Sequence, residues 1–149
     1  MGLDCSHDAW HGAYSAFHKW RKKIAEVAGL PPLELMEGFY VGLDQLGLTT
    51  PTLFHGGFES SIRFIDDRLP ISWDCLKPNP LYELLAHSDC DGEIEASRCG
   101  DIADALEVLI PLLPDVDAGG HIGNWRDKTQ QFVDGLRDAY ASGEDLRFG

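Results

Sequence analysis

The stretch His7–Pro32, HDAWHGAYSAFHKWRKKIAEVAGLPP, decides the fold class. Trp10, Ala13, Tyr14, Phe17, Ile24, Val27 and Ala28 recur at a spacing that places side chains on one face of an α-helix. Ser6 or Asp8 can cap its start by accepting a hydrogen bond from a free backbone N–H. Gly29 can take the left-handed conformation that closes a helix, and Pro31-Pro32 prevents its resumption. The spacing predicts a helix over residues 7–28.

Working outward, the same reading finds more helices. Leu33, Leu35, Met36, Phe39, Tyr40 and Leu43 suggest a second one, weakened by Gly38, Gly42 and Gly47. Thr49-Thr50-Pro51 and His55-Gly56-Gly57 read as turns, Ser60–Asp67 as a short helix and Leu69–Leu76 as a short strand or extended segment. After the breaker Lys77-Pro78-Asn79-Pro80, a short helix is expected over 80–86. Ile102, Ala105, Leu106, Leu109, Ile110 and Leu113 mark a helix over 98–113, stopped by Pro114. The last helix starts near Asn124, carries Trp125, Phe132, Val133, Leu136 and Tyr140, and ends at Gly143, with a final strand over 146–148. The expected fold is mainly α (α+β): one helix-rich domain over residues 1–149 with a few short strands.

The segment 80–113 has the outline of an EF-hand helix–loop–helix. Aligning Gly92 with the turn glycine puts Asp89, Asp91 and Glu95 at ligand positions and Ile94 at the usual apolar one. His87 and Arg98 stand where the first and last carboxylates belong, so the expectation is a tight acidic turn between packed helices.

A wider resemblance runs through HSDCDGEI (87–94), Cys99, IADALEVLIPLLP (102–114), FVDGLRDAY (132–140), GED (143–145) and the opening CSHDAWHGAYSAFHKWR (5–21). Together these segments are similar to a family of small uncharacterised bacterial and phage proteins. That resemblance implies a genomic context and carries no activity. In a phage, sequestering a nucleotide that signals host defence is a role such a protein would suit.

The formal net charge is −13, which argues against duplex DNA or an anionic membrane as a broad partner. No apolar run approaches the roughly 20 residues of a membrane helix, and MGLDCSHDAW lacks the pattern of a secretory signal. A cytoplasmic protein with Cys5, Cys75, Cys90 and Cys99 as thiols is therefore expected. MGLDCS fits the short N-myristoylation pattern, for which a chance match is the plainer reading.

Function is sought where the charge is uneven. Lys19, Arg21, Lys22 and Lys23 crowd five positions of the first predicted helix, beside Trp10, Tyr14, Phe17 and Trp20. Aromatic rings can stack on a ring system while His18, Arg21 and Lys22 meet phosphate or carboxylate. His7 and His11, one turn apart on a helix, could share a metal, whereas His18 lies about 10 Å beyond His11 by helix rise. The loop Gly119-Gly120-His121-Ile122-Gly123-Asn124 leads into the last helix, whose start would be a natural anion seat next to Arg126. The competing reading of the same residues is a packed core, a solvated lysine face and an ordinary N-cap at Asn124.

No GxSxG, HExxH, GxGxxG helix opening or Walker A loop occurs. Cys5 with His7 and Cys90 with His87 are the nucleophile–base pairs that can be imagined. Three functions remain in order of expectation. The first is a non-catalytic binder of a small anionic ligand such as a nucleotide, needing no cofactor and open to homo-oligomerisation. Its candidate site residues are His7, Trp10, His11, Tyr14, His18, Arg21, Lys22, His121, Asn124 and Arg126. The second is an acidic protein–protein module or inhibitor. The third is a metal-dependent hydrolase using histidines and carboxylates.

Overall fold

The computed structural model describes residues 2–36, 71–88 and 90–149. The expected helix beyond Met36, the turns at Thr49–Pro51 and His55–Gly57, the helix Ser60–Asp67 and the loop residue Asp89 lie outside the described residues. The elements are strands β1 (Gly2–Asp4), β2 (His11–Ala13), β3 (Gly92–Ile94) and β4 (Leu146–Phe148), with helices α1 (Tyr14–Val27), α2 (Leu81–Leu85), α3 (Ala96–Glu107) and α4 (Trp125–Ser142). The fold is thus mainly helical with two small antiparallel ribbons, β1–β2 and β3–β4.

The first helix is shorter than the apolar spacing predicts. Residues 7–13 instead form a turn and β2, which pairs with β1 through Leu3–Gly12 and Asp4–His11. His7 and Asp8 take left-handed backbone, with φ of 58° and 55°, and no helix can pass through them. Trp10 keeps its buried place without being helical, because a strand running into a helix can carry its apolar side chains into the same core.

The other termini follow local chemistry. Gly29 closes α1 with φ 72° and Gly143 closes α4 with φ 71°. Asn124 caps α4, its side chain accepting from the N–H groups of Arg126 and Asp127 at 2.9 and 3.2 Å. The predicted helix over 98–113 is really α3 followed by a separate 3-10 turn at Ile110–Leu112. Pro111 donates no N–H, and its ring would strike the carbonyl of Glu107 in a continuous helix. The start of α3 is capped from across the chain, with Asp145 accepting from the Ala96 N–H at 2.9 Å. Of the strand expected over 69–76, Ile71 forms an isolated bridge to Met36, and Trp73–Cys75 is a 3-10 turn capped by Ser72.

The helix–loop–helix of α2 and α3 is present. Its loop strand β3 pairs with β4 at the far end of the chain, and His87 stacks on Phe148 at 4.1 Å.

One apolar cluster draws on every helix. Trp10, Phe17, Trp20 and Phe132 are fully buried; Phe17 and Trp20 are in ring contact with each other and with both Trp10 and Phe132, with centroids 4.8–6.2 Å apart. Trp20 Nε1–H donates to Thr129 Oγ1 at 2.9 Å, and that hydroxyl donates to the Trp125 carbonyl at 2.8 Å, so the Trp20 edge of the cluster is satisfied, whereas the buried Trp10 Nε1–H has no hydrogen-bond partner among the described residues. Residues 17, 20, 21, 24 and 25 of α1 are buried. Lys19, Lys22 and Lys23 consequently fall on its other side.

Candidate functional site

The three lysines share one helix face because they stand three and four positions apart. After Gly29 the chain reverses and brings Leu30, Pro32 and Leu33 back beside α1. Trp125, at the first position of α4, completes the wall. The result is a cleft of about 520 Å³ lined by Lys19, Lys22, Lys23, Trp125, Leu33 and their neighbours Glu26, Leu30, Pro32 and Glu34. The ammonium groups of Lys19 and Lys23 stand 5.9 and 5.7 Å from the centre of the Trp125 ring, within cation–π range.

The charges in this cleft are arranged unequally. Lys22 pairs with Glu34, and Lys23 with Glu26 at 3.1 Å. Partial burial works against the Glu34 carboxylate, but the hydrogen bond and charge of Lys22 outweigh it and hold the carboxyl below its usual range. Lys19 Nζ instead donates to the carbonyl of Ala118 at 3.1 Å, and among the described residues it meets no carboxylate. Among the described lining residues, three lysines against two glutamates leave one positive charge, in a chain whose formal net charge is −13.

Lys19 also borders a second cleft, of about 480 Å³, between Ala13–Ala16 and the loop Ala118–Ile122. The structure therefore brings together two segments that the sequence separates by about a hundred residues. No side chain caps α1, whose first turn carries no acidic residue. Gly119 and Gly120 adopt φ of 84° and 56°, and His121 Nδ1 accepts from the Ala13 N–H at 2.7 Å. The glycine loop thus faces the start of α1. The start of α4, expected to be the anion seat, is closed by its own cap at Asn124. Asn124 also donates to Asp115 at 3.0 Å, and Arg126 turns away to the carbonyls of Leu113 and Pro111 at 2.8 and 3.1 Å.

The remaining sequence candidates are mostly structural. Trp10 is fully buried and offers no face to a ligand, while Tyr14 packs against the core. Arg21 is 2% exposed and donates through one guanidinium nitrogen to the carbonyls of Leu84, Leu85 and His87 at 3.3, 3.2 and 2.6 Å. It closes the C-terminal end of α2 and is no free anion receptor. His18 is half-buried and lies close enough to Glu34 to help lower its carboxyl. His7 and His11 do not converge on a metal. His7 Nδ1 bonds Asp138 at 2.9 Å, and His11 lies between Asp4 and Asp8, each 2.9 Å from one ring nitrogen. The two carboxylates hold the His11 imidazole above its ordinary pKa.

Of the ten candidate site residues expected from the sequence, only Lys22 lines the lysine cleft. Lys19, Lys23, Leu33 and Trp125 are its other principal residues. Lys19 and Lys23 were legible as part of the basic cluster. Trp125 reads in sequence as a core residue, and only its place beside α1 makes it a cleft wall.

Among the described residues no three His, Cys, Asp or Glu side chains lie where they could share a metal ion. Burial, assisted by Asp4, pushes the Cys5 thiol up to about 12, so it stays protonated and is no nucleophile beside His7. Among the described residues no helix is long and apolar enough to cross a membrane. No protein-family model, curated protein or solved structure matches the chain.

Proposed function

We propose that this chain is a non-catalytic binding protein for a small anionic ligand, held in the cleft between α1 and the first turn of α4. The observation that carries this reading is the gathering of Lys19, Lys22 and Lys23 around the indole of Trp125, next to the apolar surface of Leu30 and Leu33. A mostly apolar concavity with a few convergent charged groups is the usual form of a small-molecule site. Continuity with the glycine-loop cleft through Lys19 leaves room for an extended ligand.

Calorimetric titration with a panel of nucleotides, inorganic phosphate and small carboxylates tests this reading. Binding of at least one class, weakened by added salt and by Lys19→Gln, is expected. If every anion in the panel is silent, the reading fails.

A second reading, an acidic protein–protein module, has its own support. Exposed Asp127, Asp134 and Asp138 run along one stripe of α4 and border, with Asp8, a shallow cleft of about 580 Å³. A basic partner captured from lysate at low salt and released at high salt would favour it, whereas capture that is indifferent to salt would not.

A further inference from the structure

We infer that the ligand of the lysine cleft is a monocarboxylate with a ring or short aliphatic body, and not a nucleotide or other polyphosphate; this rests on the cleft being the binding site proposed above. Three features of the cleft point the same way.

The first is charge. Lys22 and Lys23 are each engaged by a glutamate of the same wall. A polyphosphate would have to enter beside Glu26 and Glu34 and would be repelled by both. Lys19, which donates to the neutral carbonyl of Ala118, can receive one anionic group without breaking an ion pair seen among the described residues. One cation without a carboxylate partner among the described residues suits one negative charge.

The second is the lining. The body of the ligand would lie against Leu30, Pro32 and the small part of Trp125 left uncovered, with the buried Leu33 behind them. Among the described residues of this wall there is no Asn, Gln, Ser or Thr to read the hydrogen-bonding edge of a base. Such a wall rewards apolar contact and aromatic stacking.

The third is reach. The Lys19 ammonium is 5.9 Å from the centre of the Trp125 ring. A carboxylate bound at Lys19 therefore sets a ring or alkyl chain, joined through a short spacer, beside the uncovered part of the indole. The cleft, at about 520 Å³, is of a size that encloses such a molecule.

The test is calorimetry on the full chain with phenylacetate, indole-3-acetate and hexanoate, their neutral amides, AMP, ATP and inorganic phosphate. At least one carboxylate should bind. Its amide should bind about tenfold or more weakly, as should the carboxylate to Lys19→Gln, because a charge-assisted hydrogen bond is lost in each case. Lys19 is exposed, so the variant should fold, and an unchanged circular dichroism melt checks that it has. An amide that binds as tightly as its acid overturns the inference. So does binding of AMP, ATP or phosphate with the carboxylates silent, although that result leaves the anion-binding reading standing. Silence from all the probes removes both.

Discussion

Replacing Gly135 with alanine should destabilise this protein even though alanine is the better helix former. Gly135 lies inside α4, where exchange for alanine ordinarily gains about 1 kcal/mol. Here a Cβ would meet Ala9 Cβ at 2.5 Å, its Cα at 2.7 Å and its N at 3.1 Å. Relaxed carbon–carbon contacts are about 3.5–4.0 Å, so the turn carrying Ala9 must move by about an ångström. Two of the three clashing atoms are backbone, and that turn is tied to α4 by Gln131 Nε2–H donating to the Asp8 carbonyl at 2.8 Å. Overpacking of this kind costs about 1–3 kcal/mol. At the upper end, which backbone overlap warrants, the net loss is about 2 kcal/mol, or about 6 °C in Tm for a chain of this length. Gly100→Ala is the control. It sits inside α3, and its Cβ would meet only the ring of Tyr140 at 3.2–3.5 Å, a side chain that is 58% exposed and free to swing. The same chemical change there should raise Tm by up to about 3 °C. Paired thermal melts read both signs. If Gly135→Ala melts at or above the wild type, the Ser6–Ala9 turn does not sit on α4 and the argument for starting the first helix only at Tyr14 falls.

Arg21→Met should cost about 3 kcal/mol in urea unfolding, because it strands the carbonyls of Leu84, Leu85 and His87 that a buried guanidinium now serves; a change under about 0.5 kcal/mol would show that these contacts are incidental. His11 should titrate above free imidazole, near 6.5, since Asp4 and Asp8 favour its charged form. The sign follows from the direction of that shift: its stabilisation of the β1–β2 ribbon is fully present below the free-imidazole value and is lost as pH rises through the raised one. An NMR titration reads the value directly, and Asp4→Asn or Asp8→Asn should lower it. A His11 that titrates at or below free imidazole would contradict the geometry.

Much of this protein was written locally. Asn124 announces the start of α4 and Gly143 its end, because a side chain that accepts backbone N–H groups and a residue free to take positive φ act within a few positions of themselves. The final strand, the short helix after Pro80 and the helix–loop–helix were legible for the same reason. The lysine cluster announced itself as the oddity of an acidic chain. What the sequence could not decide was which neighbour each segment would meet. Trp10 fits a helical spacing equally well whether it is helical or lies in a turn, and only pairing of β2 with β1 and the approach of Ala9 to Gly135 chose the turn. Arg21 looked like an anion receptor until the end of α2 and the following His87 brought it three carbonyls, and Trp125, a core residue as its spacing reads, gained a place at the cleft only when its ring met Lys19 and Lys23. These outcomes depend on contacts between residues some sixty to a hundred positions or more apart, so they are properties of the packed chain and of no single segment.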